Sequence, residues 1–139
     1  MELVVYGKPI AKKRPRFFRR GKYVGTYNDQ EAEDGFFMIQ IMKQLPKYPP
    51  DKILGPIYIA MEFGLPIPKS VSKKKRAEII SKPFCHIKKP DLDNLEKFVL
   101  DCLTRVGVWK DDSLIVSACS SKFYDENPFT RIIIDEVYK

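Results

Sequence analysis

Between Asp93 and about Arg105 the apolar residues Leu95, Phe98, Val99, Cys102, Leu103 and Val106 recur at three- and four-residue intervals, with Asn94, Lys97 and Asp101 on the opposite face. This is the period of an amphipathic α-helix, so the rest of the chain has to supply a core for its dry side. Asp93, with Glu96 three residues later, fits a capping box at the helix start. The core material lies on both sides of it. Glu2 to Tyr6 is a short β-branched run ended by Gly7, and Pro56 to Phe63 alternates as a strand closed by Pro66 and Pro68. Leu114 to Tyr124 and Arg131 to Tyr138 read as two further strands joined by a turn at Asp125-Glu126-Asn127-Pro128. A second helix is expected from Asp29 to Leu45, with Asp29 as N-cap, Gly35 as its weak point and Pro46, Pro49 and Pro50 as its stop. Ser70 or Ser72 caps a short basic helix running to Ile80. Strands at both ends and helices in the middle predict an α+β fold, and 139 residues at 44% hydrophobic are enough for one small domain spanning residues 1–139.

Several classes drop out early. No run of about 18 apolar residues is present, and Met1-Glu2-Leu3-Val4-Val5-Tyr6-Gly7 lacks the plan of a secretion signal, so a soluble, cytoplasmic protein is expected. Cys85, Cys102 and Cys119 are odd in number and widely spaced, and His86 is the one histidine, which argues against a disulfide scaffold or a zinc site. Cys85-His86 has no second ligand cluster and is read as an ordinary surface or core pair.

The charge is segregated. Residues 8 to 22 hold Lys8, Lys12, Lys13, Arg14, Arg16, Arg19, Arg20 and Lys22 with no acid, a block of +8. Residues 69 to 89 hold Lys69, Lys73, Lys74, Lys75, Arg76, Lys82, Lys88 and Lys89 against Glu78, a block of +7, so a chain of net +7 leaves −8 for everything else. Two basic segments beside an acidic remainder point to a polyanion surface next to something that needs carboxylates. In the first block the arginines alternate with Pro15, Phe17, Phe18 and Tyr23, a mixture suited to phosphate contact and stacking, with core burial the alternative for Phe17 and Phe18. The candidate DNA-contact residues are Lys12, Lys13, Arg14, Arg16, Arg19, Arg20, Lys73, Lys74, Lys75, Arg76, Lys88 and Lys89. The run Lys73 to Arg76 also reads as a solvated face.

Asp91 and Asp93 follow Pro90 two residues apart. In an extended chain both carboxylates project to one side while Leu92 turns to the core, which makes a hard-cation site. Asp111-Asp112 supplies a further carboxylate in a polar turn, and Lys97 stands one helical turn beyond Asp93, where an ammonium can stabilise charge on a phosphodiester. Singly, each residue has an ordinary role as N-cap, i,i+4 ion pair or turn former. Together they point to a metal-dependent nuclease.

The stretch Lys89-Pro90-Asp91-Leu92-Asp93-Asn94-Leu95-Glu96-Lys97, followed by Asp101, then Trp109-Lys110-Asp111-Asp112-Ser113 and a strand ending in Lys122, resembles the signature of the RusA family of Holliday-junction resolvases. The resemblance implies an α+β domain with a mixed or antiparallel sheet packed with two or three helices. It also implies a homodimeric, magnesium- or manganese-dependent endonuclease, commonly of phage or prophage origin, that resolves four-way DNA junctions. Carried over residue by residue, the family's catalytic set falls on Asp91, Asp93, Lys97 and Asp112, with Asp91, Asp93 and Asp112 holding Mg2+ (or Mn2+). Asn94, Asp101 and Asp111 take supporting places, Asn94 orienting an aspartate or closing the helix start. Phe17, Phe18 or Tyr23 could wedge into an opened junction centre. Two other readings keep the same residues: a branch nuclease acting mainly on flaps or forks, separated by substrate preference, and a non-catalytic nucleic-acid-binding module, separated by the absence of metal-dependent cleavage.

Overall fold

A computed structural model describes every residue except Pro15, Asn28, Asp29, Pro83 and Lys139, and the side chains of all the rest except Arg16, Thr26 and Tyr27. Strand β1 (Glu2–Tyr6) buries Leu3 and Val5, strand β4 (Ile57–Leu65) buries Ile57, Ile59, Met61, Phe63 and Leu65, and strand β6 (Phe129–Glu136) buries Thr130, Ile132 and Ile134. Each set steps by two, so these strands put one face on the core and the other toward water. On the outer face Arg131 pairs with Glu62 at 3.0 Å and with Glu2 at 3.2 Å. Strand β5 (Ile115–Tyr124) completes a four-stranded sheet of order β1-β6-β4-β5, antiparallel except for the parallel β4–β5 pair. A parallel neighbour needs a crossover connection, and the chain between these two strands supplies it.

That crossover contains helix α2 (Lys73–Ser81) and helix α3 (Leu92–Val106). The dry face of α3, Leu95, Phe98, Val99, Cys102, Leu103 and Val106, is buried as the apolar period requires. Gly107 ends α3 in the left-handed conformation (φ 93°), its N–H donating to the carbonyls of Leu103 and Thr104, a position where a side chain would be strained. Helix α1 (Glu31–Gln44) packs on α3 and β1, with the Phe37 and Phe98 rings edge to face at 5.2 Å.

The expected elements are present, with shifts at their ends. Helix α1 starts after Gln30, and the expected cap, Asp29, lies outside the described residues. Ser72, not Ser70, caps α2, its hydroxyl accepting the Lys75 N–H at 3.1 Å. The N-cap position of α3 is Asp91 rather than Asp93, and its side chain makes no capping bond, so the capping box is corrected: Leu92 is already helical and packs against the core three residues before Leu95. Moving the start back by two residues lets Leu92 join the apolar stripe. The basic segment after β1 forms a separate two-stranded sheet of β2 (Arg16–Arg20) and β3 (Tyr23–Tyr27). Among the described residues no helix is long and apolar enough to cross a membrane.

Candidate active site

The first turn of α3 is tied down through its backbone. The Asp91 carbonyl accepts from the N–H groups of Asn94 and Leu95, both at 3.2 Å, and the Asn94 carbonyl accepts from the Lys12 N–H at 2.9 Å. Buried Gln30 fixes the same loop from the other side, donating to the Ala11 carbonyl at 2.8 Å and accepting from the Lys13 N–H at 2.7 Å. The loop after β1 is thereby laid across the head of α3, and the Lys12 ammonium reaches Asp101 at 3.1 Å.

Along α3 the wet face carries Asp93, Lys97 and Asp101 at four-residue steps, one above another. Asp93 and Lys97 pair at 3.6 Å, and an acid in the first turn also suits the helix dipole. Arg105 continues the row, 4.0 Å from Asp101 and 2.9 Å from the buried carboxylate of Asp34 on α1, which anchors the foot of the row to the core. On the inner side of the same turns, burial and the charges of Asp34 and Asp101 push the Cys102 thiol up to about 12, so it stays a protonated packing residue.

The other wall comes from the chain after α3. Trp109 is fully buried, its indole N–H donates to Thr104 Oγ1 at 2.8 Å, and the Lys110 N–H donates to the Ile53 carbonyl at 3.1 Å. Trp109 is therefore the packing anchor that delivers Asp111 and Asp112 to the surface. A short 3-10 turn, Asp112–Leu114, follows, with Asp111 as its cap accepting from the Ser113 N–H at 3.4 Å. A cavity of about 350 Å³ lies between helix and turn, lined by Lys12, Lys97, Leu100, Asp101, Thr104 and Asp112. The Asp112 carboxyl is raised, first by its hydrogen bond with Asp111, then by slight desolvation and by the negative charges of Asp111 and Asp101, while Asp111 is lowered by the same hydrogen bond. Crowded carboxylates of this kind favour a proton or a bound cation.

The structure thus brings Lys97, Asp101 and Asp112 to one cavity and sets Asp93 one helical turn above Lys97. Asp91, at the head of α3, has an exposed carboxylate 3.3 Å from Lys89. Among the described residues no three Asp, Glu, His or Cys side chains converge closely enough to hold a metal as they stand. The expectation that Asp91, Leu92 and Asp93 stay extended is corrected: Asp91 is extended, whereas Leu92 and Asp93 lie in the first helical turn. Asn94 acts here through its backbone carbonyl.

Of the candidate DNA contacts, Lys12 is turned into the cleft and Lys13 pairs with Glu33 at 3.5 Å. Arg14, Arg19 and Arg20 are exposed, and the Arg16 side chain lies outside the described set. Phe17 and Tyr23 are 78% and 64% exposed, so neither belongs to the core. On α2, Lys73, Lys74, Lys75 and Arg76 are exposed, with Lys75 near Glu78 at 3.5 Å and over the Phe84 ring at 4.6 Å. Lys88 is exposed too. His86 is buried against Tyr124 and its pKa is lowered by that burial and by Lys122, while Cys85 is exposed.

Residues 6–135 match the family profile of endodeoxyribonuclease RusA. The chain belongs to the RusA family of endodeoxyribonucleases. The match runs from the end of β1 into β6 and so takes in the whole cleft. A protein of Bacillus subtilis (strain 168), "Uncharacterized protein YqaN", is 36% identical over 141 residues, covering 99% of this chain and 96% of its own. For a RusA-family nuclease, the sequence singles out neither the buried Gln30 clamp nor the Asp34–Arg105 pair, and it marks Lys122 only as a strand position in the family signature, with no role. Their partners lie between 17 and 71 positions away, and no local pattern marks them.

Proposed function

We propose that this RusA-family chain is a divalent-metal-dependent nuclease that resolves four-way DNA junctions in the cytoplasm, working as a homodimer that nicks two strands symmetrically. The observation that carries the reading is the cleft itself: within a chain of an endodeoxyribonuclease family, one helix face and the turn beside it present carboxylates and an ammonium to the same open cavity. A two-fold dimer with one such site per subunit matches a two-fold substrate, whereas a lone site leaves half-cut products.

The donor set fits a hard cation. It is made of exposed carboxylate oxygens without thiol or imidazole, the chemistry that a hard cation takes. Asp91, Asp93 and Asp112 are the residues that would hold Mg2+ or Mn2+, which supplies Lewis-acid activation of water and neutralises the leaving 3′ oxygen. Lys97 supplies positive charge at the scissile phosphate, and its pairing with Asp93 keeps it over the cleft before DNA arrives. Asp111 sets the proton affinity of Asp112, and Asp101 holds Lys12 in the cleft. Exposed bases on the β2–β3 hairpin, on α2 and at Lys88 provide phosphate contacts for the junction arms. Binding through them falls steeply with salt and selects shape rather than sequence.

The test is cleavage of an end-labelled four-way junction with magnesium, against linear duplex, flap and fork, with Asp93→Asn alongside. Paired nicks confined to the junction, lowered by about 10³-fold or more in Asp93→Asn with junction binding retained, are the expected result; that loss is about 4 kcal/mol of barrier. Parental cutting by Asp93→Asn overturns the site. Equal cutting of flap or fork makes the chain a general branch nuclease.

A further inference from the structure

Between the end of α2 and the start of α3 the chain runs beside the outer edge of β5. The Tyr124 N–H donates to the Phe84 carbonyl at 3.0 Å, Cys85 bridges antiparallel to Phe123, and the His86 N–H reaches the Lys122 carbonyl at 3.4 Å. Beyond His86 this ladder stops. Ile87 is 88% exposed, and residues 87–91 must cross from the sheet edge to the head of α3 without strand partners. One side chain fills the gap. Lys122 Nζ donates to the Lys88 carbonyl at 2.7 Å and to the Pro90 carbonyl at 2.8 Å, spanning 34 and 32 positions of sequence.

We infer that Lys122 is a positioning residue for the proposed site: its ammonium clamps the 88–90 backbone and so fixes where Asp91 is presented. Three features support this role over a DNA contact. Lys122 is half-buried, two of its three N–H donors are already taken, and both acceptors are backbone carbonyls rather than a carboxylate that a phosphate could replace. The Pro90 carbonyl immediately precedes Asp91, whose own carbonyl starts the α3 hydrogen-bond ladder, so clamp, aspartate and helix form one continuous run of backbone. Side chains around a metal site that orient its ligands typically matter by about 10- to 100-fold in affinity or rate, and a lysine bonded to two carbonyls is such a group. A methionine of similar length would leave both carbonyls without a protein donor and the segment held only at its ends.

The inference rests on the proposed role of Asp91, and the experiment separates the two. Lys122→Met, Lys122→Arg and Asp91→Asn are compared with the parent for junction affinity, single-turnover cleavage rate, and binding of Mn2+ alone to the DNA-free protein by calorimetry, with thermal melts reporting folding. Lys122→Met is expected to cut about 10- to 100-fold more slowly and to bind Mn2+ about tenfold more weakly, with junction affinity within about threefold of the parent. Lys122→Arg, which keeps charge and donors, recovers part of both. If Lys122→Met does not fold, Lys122→Gln and Lys122→Arg carry the same comparison. Parental rate and Mn2+ affinity in Lys122→Met, with Asp91→Asn inactive, overturn the clamp and leave the site standing. A loss of junction affinity as large as the loss of rate makes Lys122 a DNA contact. Parental cutting by Asp91→Asn overturns both.

Discussion

Helices α2 and α3 are consecutive in the chain and opposite in construction. Helix α3 has 15 residues and buries six side chains, including the Phe98 ring, while α2 has nine and buries Ile79 alone. The first turn of α3 contains Asp93, as the helix dipole favours, and that of α2 contains Lys73, Lys74 and Lys75, which it disfavours. The difference teaches how the proposed labour is divided. Side chains that must meet a scissile phosphate within a few tenths of an ångström stand on the element most deeply rooted in the core, and side chains that need only offer positive charge stand on one that is barely rooted.

Three measurements probe this contrast. The largest effect is expected from Phe98→Ala, which removes a fully buried ring at the α1–α3 contact and costs about 3–5 kcal/mol in urea unfolding; an equal cost for Ile79→Ala on α2 would break the comparison. Next, Lys74→Ala with Arg76→Ala should leave stability within about 0.5 kcal/mol. The same pair should flatten the salt dependence of junction binding by about 1.8 log units per log unit of salt if each side chain neutralises one phosphate. An unchanged slope would show that α2 is only a solvated face. The smallest effect separates the two roles by sign: Lys73→Glu should raise stability by about 0.3–1 kcal/mol through the helix dipole while weakening binding to DNA.

The same division explains what could be read in advance. The α3 stripe was legible because its partners lie three or four residues apart, and the strands were legible because their alternation is local. The Asp-Asp turn and Trp109 could be placed because each motif is contiguous. The start of α3 lies two residues before the expected cap because Asp91 and Asp93 look alike in sequence, and the packing of partly buried Leu92 against the core goes with the earlier start. Lys12 appeared as one base among eight, yet backbone bonds from Asn94 and the Gln30 side chain turn it inward. Lys122 is marked in the sequence only as part of a strand, since nothing near it announces two carbonyls more than thirty positions away. Information carried by long-range polar contacts is absent from any local window.

Strand order has a consequence for the history of each molecule. Strand β6 lies between β1 and β4, which share no ladder with one another, so among the described residues β1 has no strand partner until β6 has been made. During synthesis α3 and its carboxylates leave the ribosome well before the sheet that supports them can close. A chain interrupted before Phe129 would carry every proposed catalytic side chain and still lack the platform that holds them in register. Closure of the sheet, and with it the register of the cleft, therefore waits on a strand made after every one of those side chains.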